Sequence, residues 1–267
     1  MKAQILRKLA VNPQRDILDS FEIRQGEVPA LGVDGVFVGA SAVDVLPKRT
    51  GFLTTFPLLP ATTQAAANEK FLITSGTGTE VASVATKGGV LMTSGGSSAD
   101  QAMLIGVTAT ASRVALSATN LVRFAAKVSL AAITSLFGSF GLNENVTDPD
   151  PTGTAGDGAA FLFDPDATIT TGLTAGQHAN WILAHKVNGA DTFTATTIPV
   201  EAGRDYILEV KIGTDLIASY YIDGVLVGVS PALTSGDSVS AFLGVEATTA
   251  ATKSFEARAV SMSRELA

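Results

Sequence analysis

The stretch at residues 205–229, DYILEVKIGTDLIASYYIDGVLVGV, constrains the fold of this chain more than any other. Apolar and polar side chains alternate over Tyr206–Ile212, which is the period of a strand with one buried face. A second apolar run follows, and Asp223-Gly224 then separates it from a third. Both turn residues tolerate the positive φ angles of a tight type I′ turn. The stretch therefore predicts an antiparallel meander.

The two-residue turn at 223–224 also predicts the pairing of the two strands that it joins. With no extra residue in either strand, Ile222 faces Val225. Two residues further from the turn, Tyr220 faces Val227 on the same side of the sheet. This register puts one row of apolar side chains on a buried face.

Short strand patterns recur through the rest of the chain, separated by turns rich in glycine. The sequence AAFLF at 159–163 is apolar on both faces, which predicts a central strand. Many short strands without a long helical pattern predict an all-β fold, a two-sheet antiparallel jelly-roll sandwich over residues 61–267. The other predicted strands lie at residues 70–74, 80–85, 90–93, 101–107, 122–130, 136–142, 181–187, 238–245 and 255–262, the last with a bulge.

Residues 1–60 lack such periodicity and are interrupted by proline and glycine. They still contain many apolar side chains, and a disordered linker is poorer in these. The sequence predicts an extended arm that packs on a neighbouring subunit, in a homo-oligomer such as a trimer. The interface residues predicted in this arm are Phe37, Phe52, Phe56, Leu58 and Leu59.

Composition narrows the range of functions. There is no cysteine, and the 18 Lys and Arg residues are outnumbered by 25 Asp and Glu residues. Such a balance argues against a nucleic-acid partner, which requires clustered basic side chains. No apolar run approaches the roughly 18 residues of a membrane span, so no membrane partner is predicted either. No cofactor is predicted.

The sequence also lacks the motifs of common hydrolases and nucleotide-binding enzymes. Glycoside cleavage needs two carboxylates about 5 to 10 Å apart. Here Glu201, Glu209, Glu246 and Glu256 each stand alone in the sequence. His185 lies on the Trp181 side of a predicted strand, which favours a core histidine over a general base. These features predict that the chain is not an enzyme, and glycan cleavage is the weakest alternative.

Five aspartates lie in or near the polar loop that precedes and follows the AAFLF strand: Asp148, Asp150, Asp157, Asp164 and Asp166. Their oxygens suit a hard cation such as calcium. The spacing lacks the regular ligand pattern of a calcium loop, and prolines divide the group. A solvated polar loop is therefore favoured, and no metal site is predicted.

Two short motifs resemble the concanavalin A-like (lectin/glucanase, laminin G-like) sandwich. The sequence DGAAFLF at 157–163 is similar to the strand that begins with Asp-Gly in legume-type lectins. The sequence YIDGVLVG at 221–228 resembles the penultimate hairpin of laminin G-like domains. A wider likeness over residues 70–265 is to structural proteins of tailed-phage virions, in which such sandwiches serve as capsid decoration or appendage modules.

The lectin resemblance implies a carbohydrate site at Asp157 and Gly158. In legume-type lectins the matching aspartate accepts sugar hydroxyls and is supported by a calcium and manganese pair. The ligands of that metal pair have no counterpart downstream of Asp157 in this sequence. A turn into the central strand is the competing explanation of Asp157-Gly158, and turn chemistry favours it.

The virion resemblance implies a non-enzymatic function. The chain is then a capsid decoration or cement protein on the exterior of the virion. Its partners are the major capsid protein or other virion subunits, and the arm attaches it. The alternative is a carbohydrate-binding lectin-like module whose partner is a cell-surface glycan. The arm favours the first function, because a free-standing lectin does not need one.

Overall fold

The structure is a computed structural model that describes residues 28–31, 37–40, 49–55, 71–74, 78, 80–85, 89–106, 114–144, 149–150 and 156–266. The first strands are β1 (Val28–Leu31), β2 (Phe37–Ala40), β3 (Arg49–Thr55), β4 (Phe71–Thr74), β5 (Val81–Val84) and β6 (Val90–Thr93). They are followed by β7 (Gln101–Gly106), β8 (Val114–Ala115), β9 (Asn120–Leu130), β10 (Leu136–Asn143), β11 (Gly158–Phe163) and β12 (Asn180–Val187). The last six are β13 (Ala190–Pro199), β14 (Tyr206–Ile212), β15 (Ile217–Ile222), β16 (Val225–Ala232), β17 (Ser238–Ala247) and β18 (Ser254–Leu266). One turn of 3-10 helix, Ala175–Gln177, precedes β12.

All of these strands except β1 and β2 form two large antiparallel sheets. Sheet I has the order β13-β12-β11-β10-β17-β7-β4, and β8 also pairs with β17. Sheet II has the order β16-β15-β14-β9-β18-β6-β5, and β3 also pairs with β18. Strands β10 and β17, which are distant in sequence, lie side by side, as β9 and β18 do in the other sheet. The prediction of an all-β, two-sheet antiparallel sandwich is confirmed.

A cluster of aromatic rings joins the two sheets in the core. The Trp181 indole lies edge-on to the rings of Phe140 and Phe161 in sheet I, with centroid distances of 5.9 and 6.3 Å. It also meets the ring of Tyr206 from sheet II at 5.3 Å. The hydroxyl of Tyr206 donates a hydrogen bond to the Pro199 carbonyl at 3.0 Å. Edge-to-face rings have directional contacts, so this cluster helps to set how the sheets stack.

The centre of sheet I is buried on both faces. Every residue of β10 and β11 is buried. On the outward face, Phe137, Leu162 and Ile182 form a second apolar cluster, and Ile169 and Leu173 from the loop before β12 pack against it. This arrangement confirms that residues 159–163 form a central strand, because β11 lies between β10 and β12.

The hairpin at Asp223-Gly224 forms, but its register differs from the prediction beyond the second pair, Tyr221 with Leu226. Ile222 faces Val225 as expected, whereas Tyr220 faces Gly228 instead of Val227. One extra residue on β16 forms a bulge, which the alternation of apolar side chains does not reveal. The bulge predicted in the last strand is also present, as a register shift between Ala257 and Ala259.

Three short strands fall within the segment predicted as an irregular arm. β1 and β2 form a two-stranded sheet, and β3 adds to sheet II through β18. The backbones of Phe37 and Phe52 lie in β2 and β3, and Phe56, Leu58 and Leu59 lie outside the described residues. The domain boundary and the interface role of these side chains stay predictions. Among the residues described, no helix has the length and apolar character needed to cross a membrane.

Candidate functional site

One end of the sandwich gathers three loops around Asp157, the residue immediately before β11. Its carboxylate is fully buried. It accepts a hydrogen bond from the backbone N–H of Asn188 at 2.8 Å, in the turn between β12 and β13. It also accepts bonds from the backbone N–H of Thr234 and, at 3.2 Å, from the Thr234 hydroxyl. One carboxylate therefore ties three separate segments together.

Backbone bonds reinforce the same three-way junction. The N–H of Glu144 donates to the carbonyl of Asp157 at 3.1 Å, and the N–H of Gly189 donates to the carbonyl of Gly156 at 2.9 Å. Asn188 and Gly189 have φ angles of 50° and 78°, which is the geometry of a tight hairpin turn. The turn leaves the Asn188 side chain exposed.

The side chain of Glu144 lies against the backbone of Gly156 at this junction. Oε2 of Glu144 accepts a hydrogen bond from the N–H of Asp157 at 3.2 Å. Gly156 has a φ of 102°, and a Cβ at this position would collide with the Glu144 carboxylate. Glycine is therefore required here for both conformation and space. The side chain of Glu144 stays partly exposed.

A third carboxylate, Asp237, lies on the loop between β16 and β17. Partial burial raises its pKa, and the negative charges of Asp157 and Glu144 raise it further. A hydrogen bond with Asp157 acts in the same direction, because only the protonated carboxyl of Asp237 can donate it. We call Glu144, Asp157, Asn188, Thr234 and Asp237 the carboxylate rim.

The carboxylate rim divides into a buried anchor and exposed polar groups. Both carboxylate oxygens of Asp157 accept hydrogen bonds from Asn188 or Thr234, so this residue positions the neighbouring loops. Glu144, Asn188 and Asp237 are partly or fully exposed. Together they offer carboxylate and amide oxygens as acceptors and an amide N–H₂ as a donor. This is a set of groups that can bind the hydroxyls of a polyol.

The two residues of the predicted carbohydrate site are thus placed at the rim, with Asp157 as the anchor. Gly158 is the first residue of β11, opposite Asn143 and Lys186. A Cβ on Gly158 would lie 3.1 Å from Oδ1 of Asn143, so a larger residue would crowd this strand pair. Their role in binding sugar stays a prediction. Sequence reasoning missed the four other rim residues, because no local spacing links segments that only the fold brings together.

The calcium and manganese pair of legume-type lectins does not fit the residues around Asp157, whose oxygens accept bonds from Asn188 and Thr234. Across the described parts of the chain, no group of three or more acidic or histidine residues is placed to hold a metal. Asp164 accepts backbone bonds from Thr168 at 2.8 Å and from two further N–H groups. Its carboxylate therefore organises a loop.

Comparison with solved structures identifies the fold. No protein-family model matches the sequence, and no curated protein matches it. A protein of unknown function from Shewanella oneidensis MR-1 is similar at a TM-score of 0.57 and 12% identity, over 84% of this chain and 90% of that one. The Bacillus licheniformis β-glucanase is similar at a TM-score of 0.52 and 11% identity, over 79% of this chain and 97% of the glucanase. Peanut lectin is similar at a TM-score of 0.50 and 11% identity, over 82% of this chain and 98% of the lectin. The chain therefore has the concanavalin A-like lectin/glucanase fold.

The comparisons correct the prediction that the chain is not an enzyme. Besides the β-glucanase, a transglycosylase and a glycosidic hydrolase share the fold, at TM-scores of 0.50 and 0.52. This sandwich supports glycan cleavage in other proteins. The missing sequence motifs are therefore no ground for denying this chain an enzymatic activity.

None of these similar structures is described as a phage virion protein. The location on the capsid exterior, the capsid partner and the homo-oligomer stay predictions from the sequence. The lectin-like alternative receives more support, because a lectin is among the proteins that share the fold.

Proposed function

We propose that this chain is a carbohydrate-binding, lectin-like module whose ligand contacts lie at the carboxylate rim. The observation that carries the proposal is the junction at Asp157. This buried carboxylate holds three loops through bonds to Asn188 and Thr234. The same loops present Glu144, Asn188 and Asp237 on one end of the sandwich.

Chemistry favours a carbohydrate over other ligands at the rim. Sugar hydroxyls both donate and accept, and carboxylate and amide groups bind pairs of hydroxyls from fixed positions. An anionic ligand is disfavoured, because Glu144 and Asp157 already raise the pKa of Asp237 through their charges. The Glu144 carboxylate is already held by the N–H of Asp157, which limits the side-chain entropy that binding would otherwise cost.

The fold supports the same ligand class. Peanut lectin and the β-glucanase have the same sandwich, and their names describe a sugar-binding protein and a glycan-cleaving enzyme. The structural likeness alone gives only the fold. The placement of acceptors at the start of β11, where the lectin resemblance puts a sugar ligand, is what connects fold and site.

The test is a glycan array probed with the full chain, followed by calorimetric titration of the best ligand. We expect binding that Asn188→Gly and Asp237→Asn each weaken about tenfold. Glycine suits the positive φ of residue 188, so the first variant removes the side chain without straining the turn. Asp166→Asn is the control for Asp237→Asn, because it makes the same chemical change on an exposed aspartate of another loop.

An array without any ligand would contradict the proposal. Binding that both rim variants leave unchanged would contradict it as well, because the ligand would then lie elsewhere on the molecule.

A further inference from the structure

The outer face of sheet II carries a groove that is separate from the carboxylate rim. Strand register places Ser219, Lys211, Arg123 and Ser263 in one row across β15, β14, β9 and β18. These four residues line a cavity of about 340 Å³, and Leu121 and Asp215 line it at one end. That volume lies within the range of small-molecule sites.

A second row runs beside the first, two residues along each strand. The register pairs Leu226 with Tyr221, Tyr221 with Glu209, and Glu209 with Ala125. Leu226 is 53% exposed and Tyr221 is half-buried. An aliphatic side chain and an aromatic ring thus adjoin the groove. We call the two rows together the outer strip.

The charged groups of the outer strip hold one another in place. Glu209 pairs with Nε of Arg123, and its other oxygen lies 3.3 Å from Nζ of Lys211. The Lys211 ammonium also lies 4.3 Å from the centroid of the Tyr221 ring. Since Glu209 is almost fully buried, its carboxylate is a fixed acceptor between two basic groups.

The charges at the groove also balance. Arg123 and Lys211 carry two positive charges, and Glu209 and Asp215 carry two negative charges. Such a site gives an anion no net attraction, and the chain as a whole has a formal charge of −7. A neutral ligand with many hydroxyl groups can use both the acceptors and the donors.

We infer that the outer strip binds a neutral oligosaccharide that lies across the strands. The C–H face of one sugar packs on Tyr221 and Leu226, and hydroxyls of the following sugars reach Lys211 and Arg123, which the buried Glu209 holds in place. The strip crosses five neighbouring strands of sheet II, in the order β16, β15, β14, β9 and β18. With strands about 4.8 Å apart, it is roughly 19 Å long, which is room for several sugar residues. The ligand class is that of the proposed function, but the site is a different one.

The test is titration of the full chain with neutral oligosaccharides of increasing length and with uronic-acid oligosaccharides of matching length. We expect affinity to rise with length up to the span of the strip, and the neutral series to bind more tightly. Tyr221→Ala should weaken binding about tenfold or more, and Lys211→Gln by a smaller factor. The control Asp166→Asn, on an exposed aspartate outside both sites, should leave the affinity unchanged, and Asp237→Asn is measured beside it as the rim variant. Thermal unfolding of each variant checks that it folds.

The outcomes separate the two sites. Loss of affinity in Tyr221→Ala and Lys211→Gln with unchanged affinity in Asp166→Asn supports the strip. Loss only in Asp237→Asn overturns the strip and leaves the proposed rim function standing. Binding of the uronic-acid series alone overturns the neutral ligand class. No binding by any oligosaccharide overturns both proposals.

Discussion

The hydroxyl of Tyr220, in β15 of sheet II, donates a hydrogen bond to the backbone carbonyl of Ala184, in β12 of sheet I, at 2.8 Å. The tyrosine is fully buried, and burial raises its pKa far above the ordinary value, so the hydroxyl stays protonated and remains a donor. Its ring also lies edge-on to Phe161, with centroids 5.5 Å apart. One side chain thus joins the two sheets through a polar bond and an aromatic contact.

Because Tyr220 makes both contacts, two substitutions at this position should lower stability by different amounts. Tyr220→Phe removes only the hydroxyl, and we expect it to lower the free energy of unfolding by about 1 to 2 kcal/mol. Tyr220→Ala also empties a large core site, so we expect a loss of about 3 to 5 kcal/mol. Urea denaturation of both variants measures the difference. Equal losses would mean that the ring does not pack as described.

Tyr220 also illustrates which features of the core could be predicted from the sequence. The alternation through Tyr206–Ile212 and the apolar run after it put Tyr220 on a buried face, and the structure agrees. Its partner on the other sheet could not be predicted, since alternation gives the face of a strand but not the residue opposite in space. The predicted register was also wrong beyond Tyr221, because the bulge in β16 has no local sequence pattern.

Strand β13 was missed altogether. Its sequence, ADTFTATTIP, is rich in threonine, and its exposed side chains break the apolar alternation on which the prediction relied. The strand lies at the edge of sheet I, so it has only one neighbouring strand to pack on. β-Branched residues are common in such strands, and threonine content was the available indication. Of the carboxylate rim, the sequence predicted only Asp157, because the other rim residues lie on loops that only the fold brings together.

Asp164 provides a test of how a single carboxylate holds a loop. Burial acts to raise its pKa, but hydrogen bonds from Ile169, Thr170 and Thr168 outweigh burial and lower it below 3.8. A depressed pKa in the folded state contributes stability above the unfolded pKa, and this is lost as pH falls through the folded pKa. We expect Asp164→Asn to lose about 1.5 to 3 kcal/mol at neutral pH.

The measurement for Asp164 is chemical denaturation at neutral pH and at several acidic values. The difference between Asp164→Asn and the parent chain should shrink as pH falls below 3.8. Asp166→Asn is the control, because Asp166 is exposed and accepts a single bond from the Thr248 hydroxyl. A loss that does not change with pH would show that charge is not the cause.

Asp237 should behave in the opposite way. Its pKa is raised by burial and by Asp157 and Glu144, so the stability associated with its protonated form is present below the unfolded pKa of 3.8. That stability is lost as pH rises through the elevated folded pKa. Asp237→Asn cannot ionise, so it should become more stable relative to the parent chain across this window. Because Asp237 is partly exposed, we expect a gain below about 1 kcal/mol. Unfolding curves at pH values from about 3 to 7 measure it, and a constant difference would contradict the raised pKa.

The N-terminal region offers a matched pair of deletions. β3 pairs with β18 from Thr55 opposite Ala259 to Arg49 opposite Glu265. Over this length β18 has β9 on one side and β3 on the other. Removing residues 1–48 leaves this strand in place, whereas removing residues 1–60 exposes an edge of β18 along the second half of its length. Unpaired edges cost backbone hydrogen bonds and promote association.

We therefore expect the shorter deletion to unfold at nearly the same temperature as the full chain. The longer deletion should unfold at a lower temperature and aggregate more readily, which light scattering during the melt detects. Equal melting temperatures for both deletions would mean that β3 contributes nothing to the sandwich, and would favour the boundary at residue 60 that the sequence predicts.

The same two deletions also test whether the arm attaches the chain to a partner. An arm that binds through Phe52, Phe56, Leu58 and Leu59 loses these residues only in the longer deletion. Loss of partner binding already in the shorter deletion would instead assign attachment to residues 1–48.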